Sequence, residues 1–324
     1  MIETKFTRIF GVETPIMQGG MQWIGSGEFA AAISNAGALG TITALTFPTP
    51  EALAEQISHC QSLTDKPFAV NVTTLPSINP PPYEEYRDAI IKAGVAIVET
   101  SGSNPMEFVK IYHDAGIKVI HKVTSVKHAL KAQQAGVDAV AAIGFEAAGH
   151  PGELDVPSLV LVGAVMRSLN IPVLAAGGFA DGRGLAAALA LGADGILMAT
   201  RFMATVEAPI HPDVKQKIIT GDELATTLIF RELQNTARVA KNGISDEVAA
   251  ILAAGGDFPA VRDLVAGKRG RTVYETGDTE AGIWWAGLAQ ALIDDVPTCA
   301  GLIEQIVTDA ESTILHRLAA MVRK

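Results

Sequence analysis

Short apolar runs alternate with stretches of helical periodicity over the first two thirds of the chain. Residues 15–18, 40–43, 68–73, 96–101, 118–123, 139–143, 173–176 and 195–199 read as strands. Helical patterns follow almost every one, over 26–36, 50–61, 105–115, 125–135, 157–169 and 181–191. Ser26 and Asp181 stand where helix caps are expected, and Gly37, Gly136 and Gly192 where helices stop. This alternation means parallel strands joined by helical crossovers, and eight units close into a (β/α)8 TIM barrel, an α/β fold.

The rhythm breaks at residues 206–275, where helical stretches are expected over 213–220, 223–230, 245–254 and 260–266, with no clear strand. We read this as a mostly helical insertion after strand 8, covering the C-terminal face of a barrel made from 1–205 and 276–324. Residues 277–295 (GDTEAGIWWAGLAQALIDD) have the pattern of an amphipathic helix, and a last helix is expected from Cys299 to about Met321.

At 324 residues, 48% hydrophobic and 19% charged, the chain can bury a large core and is not of disordered composition. A net charge of −10 without a Lys/Arg-rich tract argues against a nucleic-acid or anionic-membrane partner. Cys60 and Cys299 lie far apart with no zinc spacing, as expected of buried thiols in a reducing compartment. Residues 1–15 carry charges where a signal peptide needs an apolar core, and no uncharged apolar run reaches a membrane span of about 18 residues. A soluble, cytoplasmic location is expected.

Barrel enzymes place their chemistry at the C-terminal ends of strands. Residues 173–202 (VLAAGGFADGRGLAAALALGADGILMATRF) put two such ends side by side. One carries Gly177-Gly178, the other Thr200 at a helix start, an arrangement suited to a phosphate. A glycine pair also serves as a plain strand–helix turn. No GxGxxG follows a strand and no GxxxxGK[ST] is present, which disfavours a Rossmann site or a P-loop. HExxH is absent and no spacing of His121, Glu146 and His150 demands a metal, so none is expected.

Lys122, ending an apolar strand, can balance negative charge on a cofactor ring, form a Schiff base, or simply join a salt bridge. His150 can act as a base or hydrogen-bond a substrate, or be a surface-loop residue. Glu99 stands at a strand end, and Glu146 and Glu153 suit struts for their own loop. The amide of Asn71 can meet a planar heterocycle or satisfy its strand end. The proline-rich segment TLPSINPPPYEEY after strand 3 is either a lid or a rigid connection.

Six ordered motifs, PIMQGGM (15–21), KPFAVNVT (66–73), HK (121–122), GFEAAGHPGE (144–153), AAGGFADGRG (175–184) and MATRF (198–202), resemble the nitronate monooxygenase (2-nitropropane dioxygenase) family of FMN-dependent TIM barrels. The AGHPGE loop and the proline-rich segment are most similar to its NADH:quinone reductase branch. The resemblance implies Gly20 and Met21 against the flavin, with Asn71 or Thr73 near its ring and Lys122 at its N1/O2 edge. It also implies Ala148, Gly149 and His150 around ring and substrate, and Ala176, Gly177, Gly178, Ala199 and Thr200 about the phosphate. Pro76 would belong to a gate for NADH, and Trp284 of the GDTEAGIWWAG motif would meet the substrate.

Lys122 and His150 are thus the expected catalytic residues. NADH and a quinone, or alternatively a nitronate with oxygen, are the expected small-molecule substrates, and a homodimer the expected assembly. A flavin-binding protein without turnover is the third possibility in a different class. This chain has Ala199 where the family usually has glycine, and Ala-Ala-Gly-His at 147–150 where nitronate oxidisers carry Ala-Gly-Gly-His.

Overall fold

A computed structural model describes residues 2–74 and 80–322. The barrel units run α1 (Lys5–Phe10), β1 (Ile16–Gln18), α2 (Gly27–Asn35), β2 (Gly40–Thr43), α3 (Pro50–Leu63), β3 (Phe68–Thr74), α4 (Tyr83–Lys92), β4 (Ile97–Gly102) and α5 (Met106–Asp114). They continue β5 (Lys118–Val123), α6 (Val126–Ala135), β6 (Ala139–Ile143), α7 (Ser158–Met166), β7 (Val173–Ala176), α8 (Gly182–Ala190) and β8 (Gly195–Met198). After them come α9 (Thr200–Met203), α10 (Pro212–Ile219), β9 (Thr226–Ile229), β10 (Ala237–Ala240), α11 (Gly243–Ala253), α12 (Phe258–Val261), α13 (Gly267–Thr276) and α14 (Cys299–Ser312).

The eight strands expected from periodicity all form, and they pair in parallel in the order β1-β8-β7-β6-β5-β4-β3-β2. A bridge between Met17 and Leu39 brings the two outer strands together and nearly closes the (β/α)8 barrel. Side-chain alternation divides the core. Ala69, Ile97, Ile120, Ala139, Ala141, Leu174 and Leu197 fill the interior. Val70, Val98, Val119, Val140, Ala175 and Ile196, one step along each strand, pack beneath the helices. Phe6 and Phe10 of α1 belong to the interior cluster and stack at 5.1 Å, so an apolar helix plugs one end of the barrel.

Two expectations for the later chain are corrected. Residues 226–229 form a strand rather than part of a helix over 223–230, because TTLI pairs antiparallel with ARVA of β10. Ile229, Ala237 and Val239 bury with Val248, Leu252 and Val261 in a small core separate from the barrel. The insertion therefore carries a hairpin among its helices.

Residues 277–295 are mostly irregular, with a 3-10 turn at Leu288–Leu292, rather than an amphipathic helix. Their backbone groups are claimed by other segments. Ala240 N–H donates to the Trp284 carbonyl, Trp285 N–H to the Tyr274 hydroxyl, Gly287 N–H to Thr200 Oγ1 and Leu288 N–H to the Glu146 carbonyl. Those bonds replace the intrahelical ladder. The final helix is α-helical only to Ser312 and continues as π and 3-10 turns to Met321.

No helix among the described residues is long and apolar enough to cross a membrane. Gly195 tests the barrel seam. A Cβ there would lie 2.4 Å from the Pro15 carbonyl oxygen, the acceptor of the Ile196 N–H that joins β1 to β8. Gly195→Ala should cost roughly 1–3 kcal/mol through overpacking, read as a lower denaturant midpoint at unchanged slope.

Candidate active site

The parity that fills the barrel with apolar side chains also carries polar ones into its mouth. On β3, β4 and β5, the residues two steps beyond Ala69, Ile97 and Ile120 are Asn71, Glu99 and Lys122. Glu99 is fully buried. Its Oε2 accepts from the Gly20 backbone N–H at 3.0 Å and from Asn71 Nδ2 at 2.6 Å, and pairs with Lys122 Nζ at 3.0 Å. Its other oxygen, Oε1, has no partner among the described residues. Asn71 Oδ1 accepts from Thr73 Oγ1, so most of the amide's bonding capacity is used inside the cluster. Lys122 is therefore not a lone cation: its charge is matched by a carboxylate lying beneath the Gly20 turn.

A cavity of about 630 Å³ opens above this cluster. It is lined by Gly20, Met21, Asn71, Thr73, Lys122, Ala148, Gly149, His150, Ala176, Gly177, Gly178, Ala199 and Thr200, and so brings together all but two of the residues that the family resemblance named. Pro76 lies outside the described residues. Trp284 is not in the cavity lining: it is buried in the core, its Nε1 without a hydrogen-bond partner among the described residues. Its neighbour Trp285 lines the cavity instead, its ring 6.0 Å from that of His150. In an extended segment adjacent side chains point opposite ways, whereas helical periodicity gave no reason to choose between the two tryptophans.

On one side of the mouth, Gly177 and Gly178 both adopt positive φ, +93° and +78°. A Cβ on Gly177 would come within 2.8 Å of Ser158 Oγ, so the turn has no room for a side chain. The Gly178 and Thr200 N–H groups meet no protein acceptor among the described residues. Thr200 Oγ1 accepts from Gly287 N–H, which leaves its own proton free to donate. Because α9 has only four residues, its dipole adds little, and these individual donors are what an anion would meet.

The loop after β6 is strapped to the inserted hairpin. Gly149 and Arg238 exchange backbone hydrogen bonds at 3.0 and 2.7 Å. Glu153 accepts from Thr236 N at 2.7 Å and from its hydroxyl. Arg238 donates twice to the Phe145 carbonyl and stacks over the Phe145 ring at 4.5 Å. Glu146 accepts from Ser158 N and Oγ, tying the loop to the start of α7. Both glutamates are struts. None of the hairpin contacts has a local sequence signal, since they depend on residues some 85 positions apart such as His150 and Thr236.

His150 Nδ1 lies 3.2 Å from the Thr236 carbonyl oxygen. A carbonyl only accepts, so Nδ1 carries the proton and the neutral ring presents Nε2 as an acceptor. Burial holds its pKa below the ordinary value, with the bond to Thr236 opposing the shift. His121, one position before Lys122, has the opposite parity and bonds Thr100 Oγ1 at 2.8 Å; burial pushes its pKa down to about 4. Among the described residues no group of histidine, cysteine or carboxylate side chains could hold a metal ion.

The nitronate monooxygenase family model matches residues 3–309. The chain belongs to this family. A relative from Rhodococcus jostii is 34% identical over 346 residues, covering 95% of this chain and 96% of its own, and is named (3aS,4S,5R,7aS)-5-hydroxy-7a-methyl-1-oxo-octahydro-1H-indene-4-carboxyl-CoA dehydrogenase. A probable nitronate monooxygenase from Staphylococcus saprophyticus is 30% identical over 364 residues, covering 98% of this chain and 99% of its own. The structure of FabK from Thermotoga maritima superimposes with a TM-score of 0.93 at 35% identity, over 99% of this chain and 100% of that one. The protein is an oxidoreductase of this family, built on the same barrel.

Two expectations test the site without any ligand. Lys122→Met leaves the Glu99 carboxylate buried and unmatched, at a cost of roughly 3–5 kcal/mol in stability. Adding Glu99→Gln should recover part of it, with a coupling of roughly 1–3 kcal/mol in a urea double-mutant cycle. Zero coupling would mean that the pair is not an energetic unit. By NMR, His150 should titrate with a midpoint below 6.5. Because its folded value is the lower one, its contribution to stability is complete above pH 6.5 and is lost as pH falls through the window beneath.

Proposed function

We propose that this protein is an FMN-dependent oxidoreductase that moves a hydride equivalent from NADH to a quinone-like acceptor. The residues fit the cofactor on an observation independent of motif: a cradle of bare N–H groups and a free threonine proton at β7 and β8, with a turn at Gly177 too tight for a side chain. Bound there, FMN would supply a ring that takes up two electrons with a proton and releases them to an acceptor. Gly177, Gly178, Ala199 and Thr200 would hold its phosphate. Gly20, Met21, Ala148 and Gly149 would bound the ring.

The observation that carries the reading is the Lys122–Glu99 pair. A lone buried cation favours an uncompensated negative charge beside it. A cation already matched by a carboxylate leaves the floor close to neutral, and such a floor favours electrons that travel in pairs with a proton. His150 supports the same reading. Its Nε2 accepts a hydrogen bond, as the amide of a nicotinamide can offer, and Trp285 beside it provides a flat apolar wall. The bond to the Thr236 carbonyl keeps the imidazole in that tautomer.

The names of the relatives favour two other substrates, a coenzyme A thioester and a nitronate. Anaerobic stopped-flow mixing separates them. Rapid bleaching of the flavin by NADH, followed by recolouring with a quinone, is the expected outcome. Recolouring only with an acyl-CoA would replace the quinone. Bleaching by ethylnitronate without any response to NADH would replace the whole reaction. Protein that purifies colourless and takes up no added FMN would remove the cofactor from the reading altogether.

A further inference from the structure

The cavity extends well beyond the phosphate cradle. Strand β8 stands opposite β4 around an eight-stranded ring, β5 is the strand next to β4, and residues on that side line the cavity as well. There it is lined by Asn104 at the start of α5, by Thr124, and by His128 and Lys131 of α6. In a protein of net charge −10 this lobe carries the ammonium of Lys131, with His128 one turn before it on α6. Neither His128 nor Lys131 has a side-chain partner among the described residues, and both are exposed.

The carboxylates that also line the cavity, Glu146 and Glu153, belong to the loop after β6. Glu146 is spent on Ser158 and Glu153 on Thr236. Asn104 Oδ1 accepts from the Met106 N–H, which leaves its Nδ2 to donate. Gly152, at φ +85°, packs against Thr124 so closely that a Cβ would lie 2.9 Å from Thr124 Oγ1, and this contact forms one wall of the lobe. Asn104 Nδ2 and Lys131 Nζ thus stand in this lobe as donors without a partner among the described residues.

We infer that this lobe, at His128 and Lys131 of α6, holds the adenosine pyrophosphate tail of the substrate. The inference rests on the proposed chemistry for the orientation it implies. A ring stacked at His150 and Trp285, in a cavity that His128 and Lys131 also line, can extend its tail to the Lys131 ammonium of α6. NADH and a coenzyme A thioester carry the same adenosine and pyrophosphate groups, so either can fill it. A quinone or a small nitronate has nothing to place there.

The test uses FMN-loaded protein and the charge-reversed variant His128→Glu/Lys131→Glu, whose changes fall on exposed positions. Flavin bleaching is followed with NADH and with 1-benzyl-1,4-dihydronicotinamide, which has the reacting ring but no phosphate. Coenzyme A binding is measured separately by calorimetry, independent of any turnover. The variant should weaken NADH or coenzyme A by roughly tenfold, with a shallower dependence on salt, and leave the benzyl compound unchanged. A loss confined to NADH identifies the tail as the donor's; a loss confined to coenzyme A identifies it as the thioester's. Unchanged affinity for both would overturn the inference. Failure of NADH and the benzyl compound alike to bleach the unaltered protein would instead remove the donor reading, with the calorimetric arm still deciding the lobe.

Discussion

A carboxylate with no solvent contact, Glu99, sits at the mouth of a barrel whose interior is otherwise apolar. Taking a carboxylate out of water costs several kcal/mol even after relaxation, so it must be met from several sides. Gly20 N–H, Asn71 Nδ2 and Lys122 Nζ meet it, each from a different strand or the turn beyond one. The requirement links β1, β3, β4 and β5 at the level where the cavity begins. It also sets the charge of the cavity floor, because the lysine beside the ring site arrives already compensated.

The second constraint is the strap across the loop after β6. That loop carries Ala148, Gly149 and His150, and a loop alone would leave the imidazole free to turn. Backbone pairing of Gly149 with Arg238, the Glu153–Thr236 bonds and the stack of Arg238 on Phe145 remove that freedom. The hairpin that does this is held by its own small core, against which the cavity-lining Trp285 also packs. The tautomer of His150 is thus decided by a carbonyl that folding brings to it rather than by its neighbours in sequence.

Much of this was legible beforehand. Periodicity identified all eight barrel strands to within a residue or so, because each is a short and mostly buried apolar run. The motif residues on those strand ends do converge on one cavity. Residues 226–229 carry no strand signal in the sequence, because four residues of TTLI are too few for a period to register. Trp284 and Trp285 are told apart by the irregular path of residues 277–295, whose N–H groups donate to Tyr274, Thr200 and Glu146 rather than to a helix.

Local pattern by itself determined the barrel, the positions of its turns and the types of side chain at its mouth, since those follow from periods of two and 3.6 and from glycine where side chains have no room. Tertiary structure alone decided which of those side chains are free. Lys122 is neutralised by Glu99, twenty-three residues earlier, Asn71 is spent on the same carboxylate, and Lys131 remains unmatched. Pairing of charges is a matter of distance in space, and strand order, not chain order, sets those distances.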